Sequence, residues 1–232
     1  MQREGVTKFQ SRHTDARLEP SRYGELACRL IAWREIMALT GLVGQEADRY
    51  DGAGYGNLSS RVPPFSSGRG RRAFLITGTQ TSGRRCIDLD DLCLVTRYDF
   101  AADRVESRGR ARPSSEAMTH GAIYDLGPHV RTVLHAHSPI LWKRATDLRL
   151  PTTDPSIEYG TPGMATEVQR LYGEGIFAER RILAMGGHED GIITFGKSPE
   201  DAGAVLLRWL GRAYEAHCGA QTSLCSSRRS LT

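Results

Sequence analysis

Val133-Leu134-His135-Ala136-His137-Ser138-Pro139 is an apolar run that alternates into two histidines and stops at a Ser-Pro pair. From Arg131 to Ala136 it reads as a β-strand. The period of two along a strand puts both imidazoles on one face, about 7 Å apart along the backbone. That spacing lets two rings share a metal ion. It equally suits two histidines facing solvent, so the pair acquires meaning only with a third ligand and a catalytic group.

Working outward, Pro139 to Ala145 fits a short helix, and upstream Pro113-Ser114-Ser115-Glu116 opens a helix with apolar Met118, Ile123 and Leu126, closed by Gly127-Pro128. Further upstream, Leu92 to Tyr98 and Arg104 to Ser107 read as two strands joined by a turn over Asp99 to Asp103. Ala73 to Ile76 is a short strand that feeds Thr77-Gly78-Thr79-Gln80-Thr81-Ser82-Gly83, and Leu58 to Val62 is another that follows the glycine-dense Asp51 to Asn57. Both junctions are built for close backbone approach. Leu26, Leu30, Trp33, Ile36, Met37 and Leu39 recur at helical spacing, with Ser21 as N-cap and Gly41 near the end.

Downstream, Thr152 to Gly163 is a loop long enough to reach over a site or a neighbouring subunit, and Ala165 to Leu171 is helical. Arg181 to Met185 and Gly191 to Phe195 form strands around Gly186-Gly187-His188-Glu189-Asp190, and Ser198 caps a last helix through Leu206, Trp209 and Leu210. Residues 1–20 lack periodicity and are expected to form a flexible, dispensable arm, 21–218 one domain, and 219–232 a disordered tail.

The composition agrees with one globular unit: 232 residues, 39% hydrophobic and 25% charged. No run approaches the roughly 18 apolar residues of a membrane span, and no apolar segment follows Met1 as in a secretory signal, so the expected location is the cytoplasm. The net charge of +4 comes from scattered arginines. Arg69, Arg71 and Arg72 cluster without aromatic platforms, which argues against a nucleic-acid partner. Cys28, Cys86, Cys93, Cys218 and Cys225 show no Cys-x-x-Cys spacing and read as reduced thiols.

His188 lies at a strand-to-strand turn beside glycines and an acidic pair, where its side chain can face a cleft. With His135 and His137 it makes three imidazoles, a set that suits zinc or a similar divalent ion and leaves coordination positions for a substrate. Open positions point to catalysis rather than to a structural role.

Five blocks stand in the order and approximate spacing of the class II aldolase/adducin family: Gly56-Asn57-Leu58-Ser59, Leu75-Ile76-Thr77-Gly78, Pro113-Ser114-Ser115-Glu116, His135-Ala136-His137-Ser138-Pro139 and Gly187-His188. The chain resembles that family over roughly residues 21 to 217. The resemblance implies an α/β fold, a single three-layer α/β/α domain with a central, largely antiparallel sheet. It also implies a homotetramer with active sites between subunits. It makes His135, His137 and His188 the ligands of one divalent metal per subunit, zinc first with manganese, iron or cobalt as alternatives, and Glu116 the acid/base beside it. Gly56, Asn57, Thr77, Gly78, Ser114 and Ser115 stand where the family binds substrate phosphate. Tyr214, near the C-terminus, and Tyr159 stand roughly where it uses tyrosines to protonate or orient substrate.

The implied activity is an aldolase acting on a small hydroxy-ketone, a sugar or sugar phosphate. Breaking a carbon–carbon bond beside a carbinol leaves an enediolate, whose charge a divalent cation can offset while a carboxylate moves the proton at carbon. A dehydratase, a decarboxylase, a 4-epimerase and a non-catalytic adducin-like assembly protein are the alternatives. Related 4-epimerases carry aspartate where Glu116 stands. Many members read Thr-Pro-Ser-Gly where this chain has the longer Thr77 to Gly83, a departure at the phosphate loop.

Overall fold

The computed structural model describes residues 5–229, with side chains to Gly219. In chain order the strands are β1 (Gln10–Asp15), β2 (Gly44–Gln45), β3 (Gly54–Tyr55), β4 (Asn57–Arg61), β5 (Phe74–Thr77), β6 (Leu92–Asp99), β7 (Arg104–Gly109), β8 (Thr132–His137), β9 (Ile182–Ala184) and β10 (Gly191–Gly196). The helices are α1 (Pro20–Leu39), α2 (Ala117–Tyr124), α3 (Pro139–Lys143), α4 (Pro162–Gly173), α5 (Ile176–Arg180) and α6 (Pro199–Arg229). Eight strands form one sheet in the order β1-β7-β6-β5-β4-β8-β10-β9, and β2 pairs with β3 apart from it. Every pairing in the sheet is antiparallel except β1 with β7.

Alternation along the central strands builds two cores, one on each face of the sheet. Val133, Ile193, Phe74, Ile76 and Val95 point to one side and pack under α2, α4 and α5. Leu134, Ala136, Ile192, Leu75 and Leu94 point to the other and pack under α1, α3 and α6. The result is the three-layer α/β/α sandwich with a largely antiparallel sheet that the motif resemblance implied. His135 and His137 share the parity of Val133, so both rings lie on the α2 side.

Three local readings need correction. Gln10–Asp15 is not a loose arm: it pairs in parallel register with Arg104–Gly109 as the edge strand. Its polar sequence and exposed side chains gave no alternation, as suits an edge exposed to water. Helix α1 starts at Pro20 rather than behind a Ser21 cap, since proline presets the first-turn backbone and needs no partner for a missing N–H. Its buried stripe is Tyr23, Ala27, Leu30, Arg34 and Met37, while Leu39 is exposed. At the other end α6 runs on through Arg229, so the expected disorder after Gly219 gives way to helix there, and residues 230–232 lie outside the described chain. The Ser198 cap stands, its hydroxyl accepting from the Asp201 amide at 3.2 Å. No helix among the described residues is long and apolar enough to cross a membrane.

Candidate active site

Strand β8 is buried on both faces and hydrogen-bonded on both edges, to β4 and β10. A strand so fixed delivers His135 and His137 without backbone freedom. Their Nε2 atoms are 3.1 Å apart. The β9–β10 turn, held by Met185 N to Gly191 O at 2.8 Å and Gly191 N to His188 O at 2.9 Å, brings His188 to the same point. Its ring centroid is 5.2 Å from that of His135 and 4.8 Å from that of His137. One ligand atom from each histidine lies within 4.8 Å of the others, and all three side chains are buried.

Burial holds all three imidazoles neutral. It lowers His135 to about 4 and takes His137 and His188 well below the ordinary imidazole range, with the neighbouring rings adding to the effect on the latter two. Neutral nitrogens are what a metal requires of its ligands.

Glu116 stands at the N-terminus of α2, 1% exposed, with Oε1 3.7 Å from His188 Nε2. Burial pushes its carboxyl up to about 7, opposed by the nearby Thr119 hydroxyl and by Lys8. Among the described residues no hydrogen bond of normal geometry reaches either oxygen. A carboxylate left without such partners beside three clustered neutral imidazoles is costly in a bare protein. The same donor set fits a divalent cation, whose charge would offset that cost.

The loops expected to hold substrate converge beside this cluster. Gly56, Asn57, Gly78, Ser114 and Ser115 line a cavity of about 490 Å³ with Thr79, Gln80 and Asp51. Asn57 opens β4 opposite His135, which ties the cavity wall to the strand that carries His135 and His137. Gly56 has φ +75°, and a Cβ there would meet Val43 Cγ2 at 2.7 Å and the Leu42 carbonyl at 2.9 Å, so both backbone and space demand glycine. Thr77 stands one step behind: its hydroxyl accepts from the Leu58 amide at 3.2 Å, and it does not line the cavity. Ser114 Oγ accepts from the Glu116 amide at 3.3 Å, which fixes the approach to α2.

Of the two tyrosines, the fold brings one to the site. Tyr159 is buried, its ring 4.4 Å from the His188 ring, and its hydroxyl donates to the Val6 carbonyl at 3.4 Å. The 152–163 loop therefore reaches over the site of its own chain. Tyr214 is 54% exposed on α6 and lines neither cavity at the histidines.

Two residues escaped sequence reasoning. Lys8, in the supposed arm, sits 3.9 Å above the Tyr159 ring and bonds Glu158 at 2.9 Å. Tyr50, just ahead of the glycine-dense loop, packs its ring edge-on against His137 at 4.7 Å and donates to Asp190 Oδ2 at 2.7 Å. These contacts join residues far apart in the chain, and neither residue lies in a periodic segment or motif. Tyr50 also borders a second cavity of about 860 Å³ lined by His188, Trp142, Lys143 and Asp190.

Comparison with known proteins gives the family and the fold. No curated protein matches the chain by sequence. Among solved structures, L-fuculose 1-phosphate aldolase aligns with a TM-score of 0.59 and 20% identity over 85% of this chain and 87% of its own. The L-fuculose-1-phosphate aldolase of Thermus thermophilus aligns at 0.62 and 17% over 86% and 96%. A sugar-phosphate aldolase from Thermotoga maritima aligns at 0.61 and 16% over 82% and 93%. At such identities these likenesses establish the fold. The family model described as class II aldolase and adducin N-terminal domain matches residues 35–210, most of the chain, and the protein therefore belongs to the class II aldolase/adducin family.

Proposed function

We propose that the chain is a divalent-metal-dependent aldolase that cleaves or forms a carbon–carbon bond in a small hydroxy-ketone, a sugar or sugar phosphate. The observation that carries this reading is the buried meeting of His135, His137 and His188 with the Glu116 carboxyl. The three histidines would hold one metal ion per subunit, zinc first, with manganese, iron or cobalt as alternatives. A divalent cation there supplies Lewis-acid stabilisation of negative charge on neighbouring carbonyl and hydroxyl oxygens.

The remaining work falls to the chain's own side chains. In the cleavage direction, the carbinol hydroxyl gives its proton to solvent as its carbon becomes the aldehyde carbonyl, the electron pair of the broken bond stays on the carbon beside the ketone, and Glu116 as the acid returns a proton to that carbon. In the synthetic direction Glu116 removes it. A carboxyl group at this position can act as acid in one direction and base in the other; burial alone raises it, and a bound cation would draw it back down. Gly56, Asn57, Gly78, Ser114 and Ser115 orient the substrate through backbone and side-chain polar groups, and Thr77 holds their loop against β4. Tyr159 walls the His188 side and excludes water there. Tyr214 is too exposed to serve its own site and would act only on a neighbour's, in a homotetramer with sites between subunits. A reducing cytoplasm accords with Cys28, Cys86 and Cys93 being thiols.

Glu116→Gln tests the assignment. It should keep bound metal while lowering turnover on a panel of phosphorylated and free ketoses by at least about 10²-fold, the usual weight of a positioned acid/base. Undiminished aldehyde release in that variant would sink the acid/base role. NMR of the products separates aldol cleavage, which yields two carbonyl fragments, from dehydration, decarboxylation or epimerisation. A purified protein that takes up no divalent metal would instead favour an assembly protein without catalysis.

A further inference from the structure

Tyr50 occupies a position that the aldolase reading does not use. Tyr50, Asp51 and Gly52 follow one another with φ +50°, +56° and +75°, a left-handed run that side chains other than glycine rarely adopt. The run turns the Tyr50 ring onto His137, with centroids 4.7 Å apart and planes at 72°. A hydrogen-bonded chain holds it there. The Tyr50 hydroxyl donates to Asp190 Oδ2 at 2.7 Å, while Arg49 donates to the Tyr50 hydroxyl at 2.9 Å and to the Tyr55 hydroxyl at 2.9 Å. Tyr55 in turn donates to Glu46 at 2.5 Å. Asp190 is no loose anchor: it follows His188 closely in the same turn, and its carbonyl accepts from the amide of Ser138, next to His137, at 2.8 Å. The loop is thus tied at both ends of the histidine cluster.

The two cavities meet here. Among the described residues, only Tyr50 and Asp51 line both the cavity of about 490 Å³, which carries Asn57, Ser114 and Ser115, and that of about 860 Å³, which carries His188, Trp142 and Lys143. Of the pair, Tyr50 is the residue whose ring also touches a histidine of the cluster.

We propose that Tyr50 is a specificity-determining residue whose ring divides the site into two lobes and restricts the group beside the reacting carbons to a small one. This deepens the aldolase reading and rests on it. In that reading a hydroxy-ketone half occupies the Asn57–Ser115 lobe and the other fragment the Trp142–Lys143 lobe. A bulky planar group next to the chelating oxygens would collide with the Tyr50 ring, whereas a hydroxymethyl group would pass.

The test uses full-length protein loaded with Co(II), whose visible absorption reports both metal and chelation. Two hydroxamates serve as planar chelating probes: glycolohydroxamate, with a hydroxymethyl group, and benzohydroxamate, with a phenyl ring. Wild type should bind glycolohydroxamate at least tenfold more tightly than benzohydroxamate. Tyr50→Ala should erase that ratio by admitting the phenyl ring, and Tyr50→Phe, which restores the ring without the hydroxyl, should retain it. A ratio unchanged in Tyr50→Ala overturns the proposal, as does an equal loss of both probes, the mark of a merely structural residue. A wild type that shows no Co(II) bands at all sinks the metal reading and this inference with it. Normal bands with an unaltered ratio sink the inference alone.

Discussion

Glu116 concentrates the cost of the site in one side chain. Its carboxyl is buried beside His188 without a hydrogen bond of normal geometry, so the metal-free protein favours the protonated form. The folded value of about 7 lies above the unfolded value near 4.5. For a raised group, the contribution to stability is fully present below the unfolded value and declines as pH climbs through the folded one. Wild-type metal-free protein should therefore lose up to about 3 kcal/mol from this residue between about pH 4.5 and about pH 8. Glu116→Gln should be more stable than wild type at about pH 8 by a similar amount and level with it at about pH 4.5. Urea unfolding of both proteins after chelator treatment measures this, and equal midpoints at the higher pH would refute it. The residue essential to the proposed chemistry is then one that the bare fold would be more stable without.

Helix α2 places that residue, and its seat on the sheet is set by one close approach. A Cβ on Gly121 would meet the Tyr98 ring at 2.7 to 2.9 Å. The ring has little room to yield, because the Tyr98 hydroxyl donates to Asp125 Oδ1 at 2.8 Å just past the helix end and the side chain is buried. Gly121→Ala gains about 1 kcal/mol of helix propensity but overpacks a buried contact at about 1–3 kcal/mol. The clash should win. The expected variant is less stable by up to about 2 kcal/mol, and less active than that loss alone explains, because a displaced α2 carries Glu116 away from His188. Denaturation midpoints with kcat on the same preparations test this. Unchanged stability would show that the helix tolerates the shift.

At the scale of the whole molecule, the amino-terminal segment closes the site that the centre of the chain builds. Gly5 and Val6 line the smaller cavity, the Val6 carbonyl accepts from Tyr159, Lys8 lies over the Tyr159 ring, and Phe9 is buried in the core on the α2 side. Strand β1 then anchors the segment at the sheet edge. A truncation that begins at Gln10 keeps β1 and removes the strap. It should fold, with a modest fall in melting temperature, and should lose at least tenfold in kcat/KM as the cavity opens to water. Full activity in the truncated protein would return the segment to the dispensable arm that its polarity suggested. The proposed metal would act on the same scale: stripping it with a chelator should lower the melting temperature reversibly, since binding to the folded state alone stabilises by mass action.

The chain's own pattern determined much of this. The period of two in Val133–His137 put both histidines on one face, and Gly191–Phe195 read as a strand. Pro139 and Ser198 marked two helix starts, and five short blocks in order pointed to the family. Such signals are legible because strand period, helix capping and backbone-accessible glycines are local demands written in neighbouring residues. Tertiary structure alone decided what meets across the fold: β1 on β7, Tyr159 against His188, Lys8 over Tyr159, and Tyr50 on His137 with its hydroxyl on Asp190. Each joins residues distant in sequence through packing or a single hydrogen bond, and such contacts leave no periodicity to read. His135 and His137 could be paired from their spacing, but the ring of Tyr50 above them exists only once residues 50 and 190 are brought together by the sheet.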